Sequence, residues 1–494
     1  MNLSAFRAHF RFEKTAALPH SLLLILFAIS LATRIAYLFL TTAIFGDAVN
    51  YAFIAKNLST GAFNAVDPFW SNLFCYWQAL IAFCGSSMPR AAIASSFIPG
   101  LFLFVPITYI AYELYGEKVA FAAGLFASLH PRFIEYSANG YPETFYLFWL
   151  GYALFFLITK RPILSGLSFA IVVACRNEFI LLFVLLVALA AWTQRNFRFL
   201  TRSSIAFLLI ILTYVMLSYA TIHSPGLFQK STNFAKQYSE QLDMRAAACE
   251  TYGTNKQVTP APALYKRIPQ NLVYTLKKLP GVLLSPLALF AFLLPLLVPL
   301  RPKKEELPLW LTLFFPLLFY PLIQVEPRYL FSLLIPLHIF GAAGLIATAN
   351  FAASRIVTLL LFLLILTPSL ALAAYKGYTT EKNYSCHRQI GAWIQAHIPE
   401  NEQIAGCGYG WASTSGFLAG RTTIRRPFVE NGEALVSFMK EKQIRWLILY
   451  EAYITQADSE LLPYLAKGLP GLTKQYEIRD AAGLRVVVYR LGSL

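Results

Sequence analysis

Long apolar runs separated by short polar connections dominate the first three quarters of the chain. A bilayer core of ~30 Å needs roughly 20 mainly apolar residues per spanning helix. Eleven stretches approach that length, near residues 19–44, 91–112, 118–138, 142–159, 162–175, 178–193, 203–222, 281–300, 307–324, 329–348 and 355–374. From about Tyr375 the pattern changes. An amphipathic stretch carries Ile390, Trp393, Ile394 and Ile398, a helix is predicted over 433–442, and strands are predicted at 445–450, 474–479 and 485–491. The last two strands are joined by a turn at 480–483. The predicted fold class is therefore an all-α polytopic membrane domain over residues 1–374, followed by a small α/β domain over 375–494.

Basic residues orient these spans. Arg7, Arg11 and Lys14, then Lys118, Lys160 and Arg161, Arg195, Arg198 and Arg202, Arg301, Lys303 and Lys304, and Arg355 fall on one side of an eleven-span count. Cationic connections are retained in the cytoplasm, which places the N-terminus there. The outer face then carries a first loop over 46–90, a loop over 223–280, turns near 130–143, 176–178 and 326–328, and the C-terminal domain. The first apolar run is too long for a cleavable signal and lacks a small-residue cleavage pattern, so it is read as the first span.

Composition narrows the class further. With 57% hydrophobic and 13% charged residues among 494, a soluble, disordered or fibrous protein is excluded. The net charge of +16 suggests nucleic acid only where cations gather into a patch, and here they are spread over the connections. Of the six cysteines, Cys175 is expected as a packed thiol, while Cys386 and Cys407 lie in the exterior domain, where a disulfide is allowed. Cys75, Cys84 and Cys249 show no ligand spacing and the seven histidines are scattered, so the sequence argues for no zinc site.

Chemistry-bearing residues collect at the outer face. Asp47 opens a segment running through Lys56 to Ser59 and Gly61. It is read either as the N-cap of that helix or as a partly desolvated general base, and a cap is also a rigid mount for a base. A second cluster runs from His130 through Arg132 to Glu143, which follows Pro142 into an apolar helix. Glu143 is either a first-turn acid favoured by the helix dipole or a carboxylate facing a cavity. Arg132, Arg176 and Arg328 are either interfacial anchors or fixed charges for a lipid phosphate, with Lys56 and Lys230 as weaker candidates of the same kind. Arg34, inside the first span, is expected to be paired or to snorkel, and the glycine-rich segment 406–410 is read as a turn.

In their order along roughly 20–350, these segments resemble the GT-C glycosyltransferases that use polyprenyl-phosphate sugars. The match is to bacterial relatives of protein O-mannosyltransferases and of the lipid A aminoarabinose transferase. The resemblance rests on 47–61, on 130–143, on Arg176-Asn177-Glu178, and on Glu326-Pro327-Arg328-Tyr329 followed by Pro336 and Gly341 to Gly344. Where that family often has a second acid directly after its first-loop aspartate, this chain has Ala48.

The resemblance implies inverting transfer from a polyprenyl-phosphate-linked sugar donor to a lipid, glycan or protein acceptor. The protein would sit among membrane lipids of a bacterial inner membrane, with a periplasmic C-terminal domain and no nucleic-acid partner. Asp47 is the implied base and Glu143 a second catalytic carboxylate. Arg132, Arg176, Arg328 and Lys56 are the implied donor-phosphate contacts, and Tyr51, His130, Glu178, Glu326 and Tyr329 the pocket lining. Some relatives use a divalent metal, and nothing in the sequence decides for or against one here. The rival reading is a transporter or flippase for a lipid-linked or small anionic substrate, which calls for mid-bilayer charges and broken helices in matching halves. A third is a catalytically silent scaffold whose exterior domain binds a partner.

Overall fold

The computed structural model describes residues 18–44, 46–63, 72–223, 264–283, 304–322, 327–352, 355–406, 411–421, 423–425, 431–451, 454 and 461–492. The chain begins with α1 (His20–Leu40), α2 (Asp47–Ser59), α3 (Leu73–Phe83), α4 (Met88–Phe102), α5 (Phe104–Tyr115), α6 (Glu117–Leu129) and α7 (Pro131–Ser137). It continues with α8 (Glu143–Ile158), α9 (Pro162–Cys175), α10 (Phe179–Gln194), α11 (Phe197–Ile222), α12 (Leu264–Leu283), α13 (Leu307–Phe319), α14 (Leu334–Ala352) and α15 (Arg355–His397). A 3-10 helix over Pro327–Leu333 leads into α14, and another over Tyr320–Leu322 extends α13.

The burial pattern of these helices is the reverse of that in a soluble bundle. On α1, Leu22, Leu26, Ser30, Arg34 and Tyr37 recur at helical spacing and are buried, while Leu24 and Phe39 are 67% and 87% exposed. On α11, Ser203, Tyr214 and Ser218 face inward, whereas Leu209, Leu212 and Met216 face outward. Such an outward apolar face is stable against hydrocarbon and costly against water. This is a membrane protein.

By length and composition, four helices among the described residues can cross a bilayer: His20–Leu40, Met88–Tyr115, Phe197–Ile222 and Arg328–Ala349. Shorter apolar helices at Leu73–Phe83, Glu143–Ile158, Pro162–Cys175 and Phe179–Gln194 pack among them. The expected span at 91–112 is the pair α4–α5, broken where Pro106 cannot donate to the carbonyl of Phe102. The expected span at 118–138 divides at His130, because Pro131 starts a new helix. Most of the expected span at 281–300 lies outside the described residues.

Arg34 departs from both alternatives. It is 1% exposed, so it does not snorkel, and it has no carboxylate partner among the described residues. Its Nε donates to Ser137 Oγ at 3.1 Å, and its Nη1 donates to Ser30 Oγ at 2.8 Å and to the Ser128 carbonyl at 3.1 Å. Ser128 lies in the last turn of α6, where the helix dipole favours a cation. Arg34 thus ties α1 to the elbow between α6 and α7.

The helix of the last expected span, 355–374, continues past it. Helix α15 runs without a break from Arg355 to His397, with Pro368 inside it. The expected amphipathic stretch is the end of that same helix, and Ile390, Ile394 and Ile398 pack on the C-terminal sheet.

The C-terminal part adds β1 (Ile404–Gly406), α16 (Trp411–Leu418), β2 (Thr423–Arg425), α17 (Gly432–Glu441), β3 (Trp446–Tyr450), α18 (Leu462–Lys467), β4 (Leu472–Arg479) and β5 (Arg485–Leu491). The five strands form one sheet in the order β2-β1-β3-β5-β4, parallel across β2, β1 and β3 and antiparallel across β3, β5 and β4. Both faces of the central strand are covered. Trp446, Ile448 and Tyr450 meet the end of α15, while Leu447 and Leu449 meet Leu435, Phe438 and Met439 of α17. His387 Nδ1, Ser415 Oγ and Tyr450 Oη form a buried polar knot at 2.6–3.1 Å that ties α15 to α16 and β3. Cys386 is a buried thiol whose Sγ donates to the Asn383 carbonyl at 3.3 Å; Cys407, its suggested disulfide partner, lies outside the described residues.

Candidate functional site

Helix α2 starts at Asp47 because Gly46 turns the chain at φ +62°, with Tyr141 Oη so close that a Cβ at Gly46 would meet it at 2.6 Å. Gly46, not Asp47, is the N-cap, and the carboxylate of Asp47 is free of capping duty. It faces Arg328 instead, whose Nη2 donates to Asp47 Oδ2. The helix ends as the sequence suggests, with Gly61 at φ +74° and Ala62 N donating to Asn57 O at 2.8 Å.

From this pair a line of alternating charges runs inward. Arg328 Nε lies 4.0 Å from Glu143 Oε1, which accepts from Arg176 Nη2 at 2.5 Å. Arg176 Nη1 is 3.7 Å from Glu178 Oε1, which in turn accepts from Tyr320 Oη at 3.3 Å. Glu143 is fully buried, and its Oε2 has no hydrogen-bond partner among the described residues. Buried charges persist only where opposite charges and hydrogen bonds replace water, and alternation supplies this along the whole line.

Aromatic rings wall the line. The guanidinium of Arg328 lies 5.4 Å from the Tyr141 ring and 5.7 Å from Tyr329, and that of Arg176 lies 4.8 Å from Tyr329 and 5.4 Å from Tyr146. Ring faces hold cations in place without consuming their N–H groups. Tyr51, one turn along α2 from Asp47, is buried beside Phe74. Burial raises the pKa of its hydroxyl well above the ordinary value; Asp47 and Glu143 raise it further, while Arg176 and Arg328 oppose them.

The structure therefore brings together Asp47, Glu143, Arg176, Arg328, Glu178, Tyr329 and Tyr51 from four separate stretches of sequence. Three other expected residues lie elsewhere. Arg132 donates twice to the Gly281 carbonyl, at 3.1 and 2.8 Å, and pairs with Glu135 at 2.7 Å. His130 Nε2 donates to the Leu283 carbonyl at 3.2 Å, so both residues fasten the α6–α7 elbow to α12. Lys56 lines a separate cleft. Glu326 and Lys230 lie outside the described residues. Tyr320 and Tyr146 lie inside apolar runs and escaped the sequence reading, which had Tyr141 only as part of the cluster leading to Glu143.

A divalent cation does not fit this donor set as it stands. Both leading carboxylates are already neutralised, so an ion would have to displace Arg328 from Asp47 or Arg176 from Glu143. No three His, Cys, Asp or Glu side chains converge as a metal-binding group among the described residues.

No protein-family model and no curated protein matches the chain in sequence. Solved structures do match in fold. ArnT from Cupriavidus metallidurans, bound to undecaprenyl phosphate, superimposes with a TM-score of 0.60 at 12% identity over 95% of this chain and 98% of that one. The Archaeoglobus fulgidus oligosaccharyltransferase in complex with zinc and sulfate gives a TM-score of 0.56 at 15% identity, covering 94% of this chain and 72% of that one. The mycobacterial arabinofuranosyltransferase AftD gives 0.50 at 14% identity over 98% of this chain, which spans 42% of AftD. The fold of this chain is that of the GT-C glycosyltransferases.

Proposed function

We propose that this chain is an integral membrane glycosyltransferase that moves a sugar from a polyprenyl-phosphate carrier to an acceptor at the external membrane face. Transfer inverts the anomeric centre, with Asp47 as general base. The observation that carries this reading is the Asp47–Arg328 pair at the head of a buried line of charge. The fold shared with an undecaprenyl-phosphate-bound enzyme adds support.

The chemistry asks for one base and several cations. As the acceptor attacks the anomeric carbon, its proton passes to Asp47 and the bond to the carrier phosphate breaks. A departing phosphate needs charge stabilisation rather than a proton, and Arg328 and Arg176 supply fixed positive charge beside the base. The unpartnered Oε2 of Glu143 accepts from a substrate hydroxyl and orients it. In the bound state Arg328 turns from Asp47 to the phosphate, which frees the base only when a donor is present.

The same proposal includes the eleven-span topology, with a cytoplasmic N-terminus in a bacterial inner membrane and residues 375–494 as a periplasmic domain. It is tested by transfer from radiolabelled polyprenyl-phosphate sugars to membrane acceptors, with wild type and Asp47→Asn side by side. Label should reach acceptor with wild type alone. Normal turnover by the variant removes Asp47 as base, and donor binding without transfer by either protein favours a flippase.

A further inference from the structure

Helix α12 has three faces of different character. At ~100° per residue, Asn271, Thr275, Leu279 and Val282 share the first. Thr275 and Val282 are fully buried, and Asn271 Nδ2 donates to the Pro321 carbonyl at 3.0 Å, so this face seats the helix on the 3-10 segments Tyr320–Leu322 and Pro327–Leu333. Leu272, Val273 and Leu276 form the next face and are 41%, 51% and 52% exposed. Tyr274, Lys277 and Lys278 form the third. All three are exposed, and Lys278 Nζ lies 5.1 Å from the centre of the Tyr274 ring.

A helix on a water-soluble surface needs only two faces, one apolar and packed, the other polar and solvated. Here an apolar face is turned outward beside a cationic one. That arrangement suits a helix lying in the plane of a membrane surface, with hydrocarbon against one face and headgroups along the other. Depth follows from the sequence, because no ionisable residue occurs from Leu279 to Leu300. Lys277 and Lys278 therefore stand where an uncharged stretch of spanning length begins, at the level of the headgroups. Charge selects among those headgroups. The helix contains Lys266, Arg267, Lys277 and Lys278 and no acid, which favours lipids of net negative charge over zwitterionic ones.

We infer that α12 is an interfacial helix that binds anionic phospholipids of the surrounding leaflet, their headgroups on Lys277 and Lys278 and their acyl chains against Leu272, Val273 and Leu276. Its packed face rests on the 3-10 helix that carries Arg328, so this lipid gathers outside the charged line rather than in it. Binding at this surface stands or falls independently of the role of Asp47.

The full chain is reconstituted into nanodiscs of phosphatidylcholine and phosphatidylglycerol in equal amounts, with bromine on the acyl chains of one lipid or of the other. Quenching of the tryptophan added by Leu276→Trp is read as the difference from wild type. Brominated phosphatidylglycerol should quench this added fluorescence about threefold more than brominated phosphatidylcholine. Lys277→Gln with Lys278→Gln in the same background should remove the difference, and ~1 M salt should weaken it when both lysines are present. No quenching by either lipid shows that protein covers the apolar face and overturns the interfacial position. Equal quenching with both lysines in place overturns the selectivity, as does a preference that survives their loss or high salt. Abolition of the preference by stoichiometric polyprenyl phosphate gives the surface to the carrier lipid and overturns the phospholipid assignment.

Discussion

Asp47 and Arg328 stand 281 positions apart in the chain and meet as an ion pair, the carboxylate Oδ2 accepting from Nη2. While Oδ2 accepts this hydrogen bond, that oxygen is occupied by the guanidinium rather than turned to an acceptor hydroxyl. An arriving phosphate competes for the same N–H groups. Carbodiimide labelling of Asp47, read by peptide mass spectrometry, should therefore rise severalfold when polyprenyl phosphate is added. Arg328→Gln should label at the higher level without lipid and should raise the KM for donor. Labelling that ignores the lipid rules out the exchange of partners.

Arg176 and Glu143 make a different prediction, about stability. Glu143 is fully buried and its nearest cation is Arg176, at 2.5 Å. Removing one member of a buried pair leaves the other uncompensated and costs about 3–5 kcal/mol. Arg176→Met should lower the thermal midpoint in detergent markedly, and the double variant Arg176→Met with Glu143→Gln should recover much of the loss. A single variant as stable as wild type shows that the pair does not hold α8 to the turn after α9.

The apolar period and the proline and glycine signals were legible in the sequence. Pro162–Cys175 forms at the expected bounds, and the segment from Asp47 to Ser59 is helical with Gly61 after it. What was not legible depends on distant partners. Nothing near Asp47 signals Arg328, and local capping rules gave Asp47 a duty that Gly46 performs. Likewise Ile390, Ile394 and Ile398 carry the right spacing for a short surface helix, yet only the sheet beneath them shows that they end the helix begun at Arg355. The short parallel strand β2 was missed because three residues carry too little alternation to register.

Close helix approach yields a third prediction. A Cβ on Gly166 of α9 would meet the Ser203 carbonyl oxygen at 2.2 Å and its carbon at 3.0 Å, and Ser203 Oγ also donates to the Pro162 carbonyl at 2.9 Å. These are backbone atoms that cannot swing aside. Gly166→Ala should destabilise the chain by about 1–3 kcal/mol, the usual cost of overpacking. Gly281→Ala meets no atom of the described residues within 4 Å and should be neutral or gain ~0.4–1 kcal/mol through the unfolded chain. Thermal scans of the two variants in the same detergent decide it, and equal midpoints contradict the close packing of α9 on α11.

Acid sensitivity of the C-terminal part follows from Glu451. Its Oε2 accepts from Arg485 N at 2.7 Å and from Arg485 Nε at 3.2 Å, while Oε1 accepts from Nη2 at 3.2 Å. The Arg485 side chain first, and its backbone N–H second, hold the Glu451 carboxyl below its ordinary pKa of 4.5. A folded-state pKa that is depressed contributes stability that is fully present above the unfolded value. That contribution fades as pH falls through the folded value, because protons then bind the unfolded chain first. The pair is partly open to solvent, so its share at neutral pH is about 1 kcal/mol or less. Hydrogen exchange at Val486 to Val488, corrected for intrinsic rates, should show protection that declines from neutral pH to about pH 3.5 in wild type. In Glu451→Gln the protection should start lower and fall less over the same interval. An identical decline in both proteins assigns the acid sensitivity to other groups, of which Glu402 is the first to test, since Trp446 Nε1 and then Arg445 hold its carboxyl low in the same way.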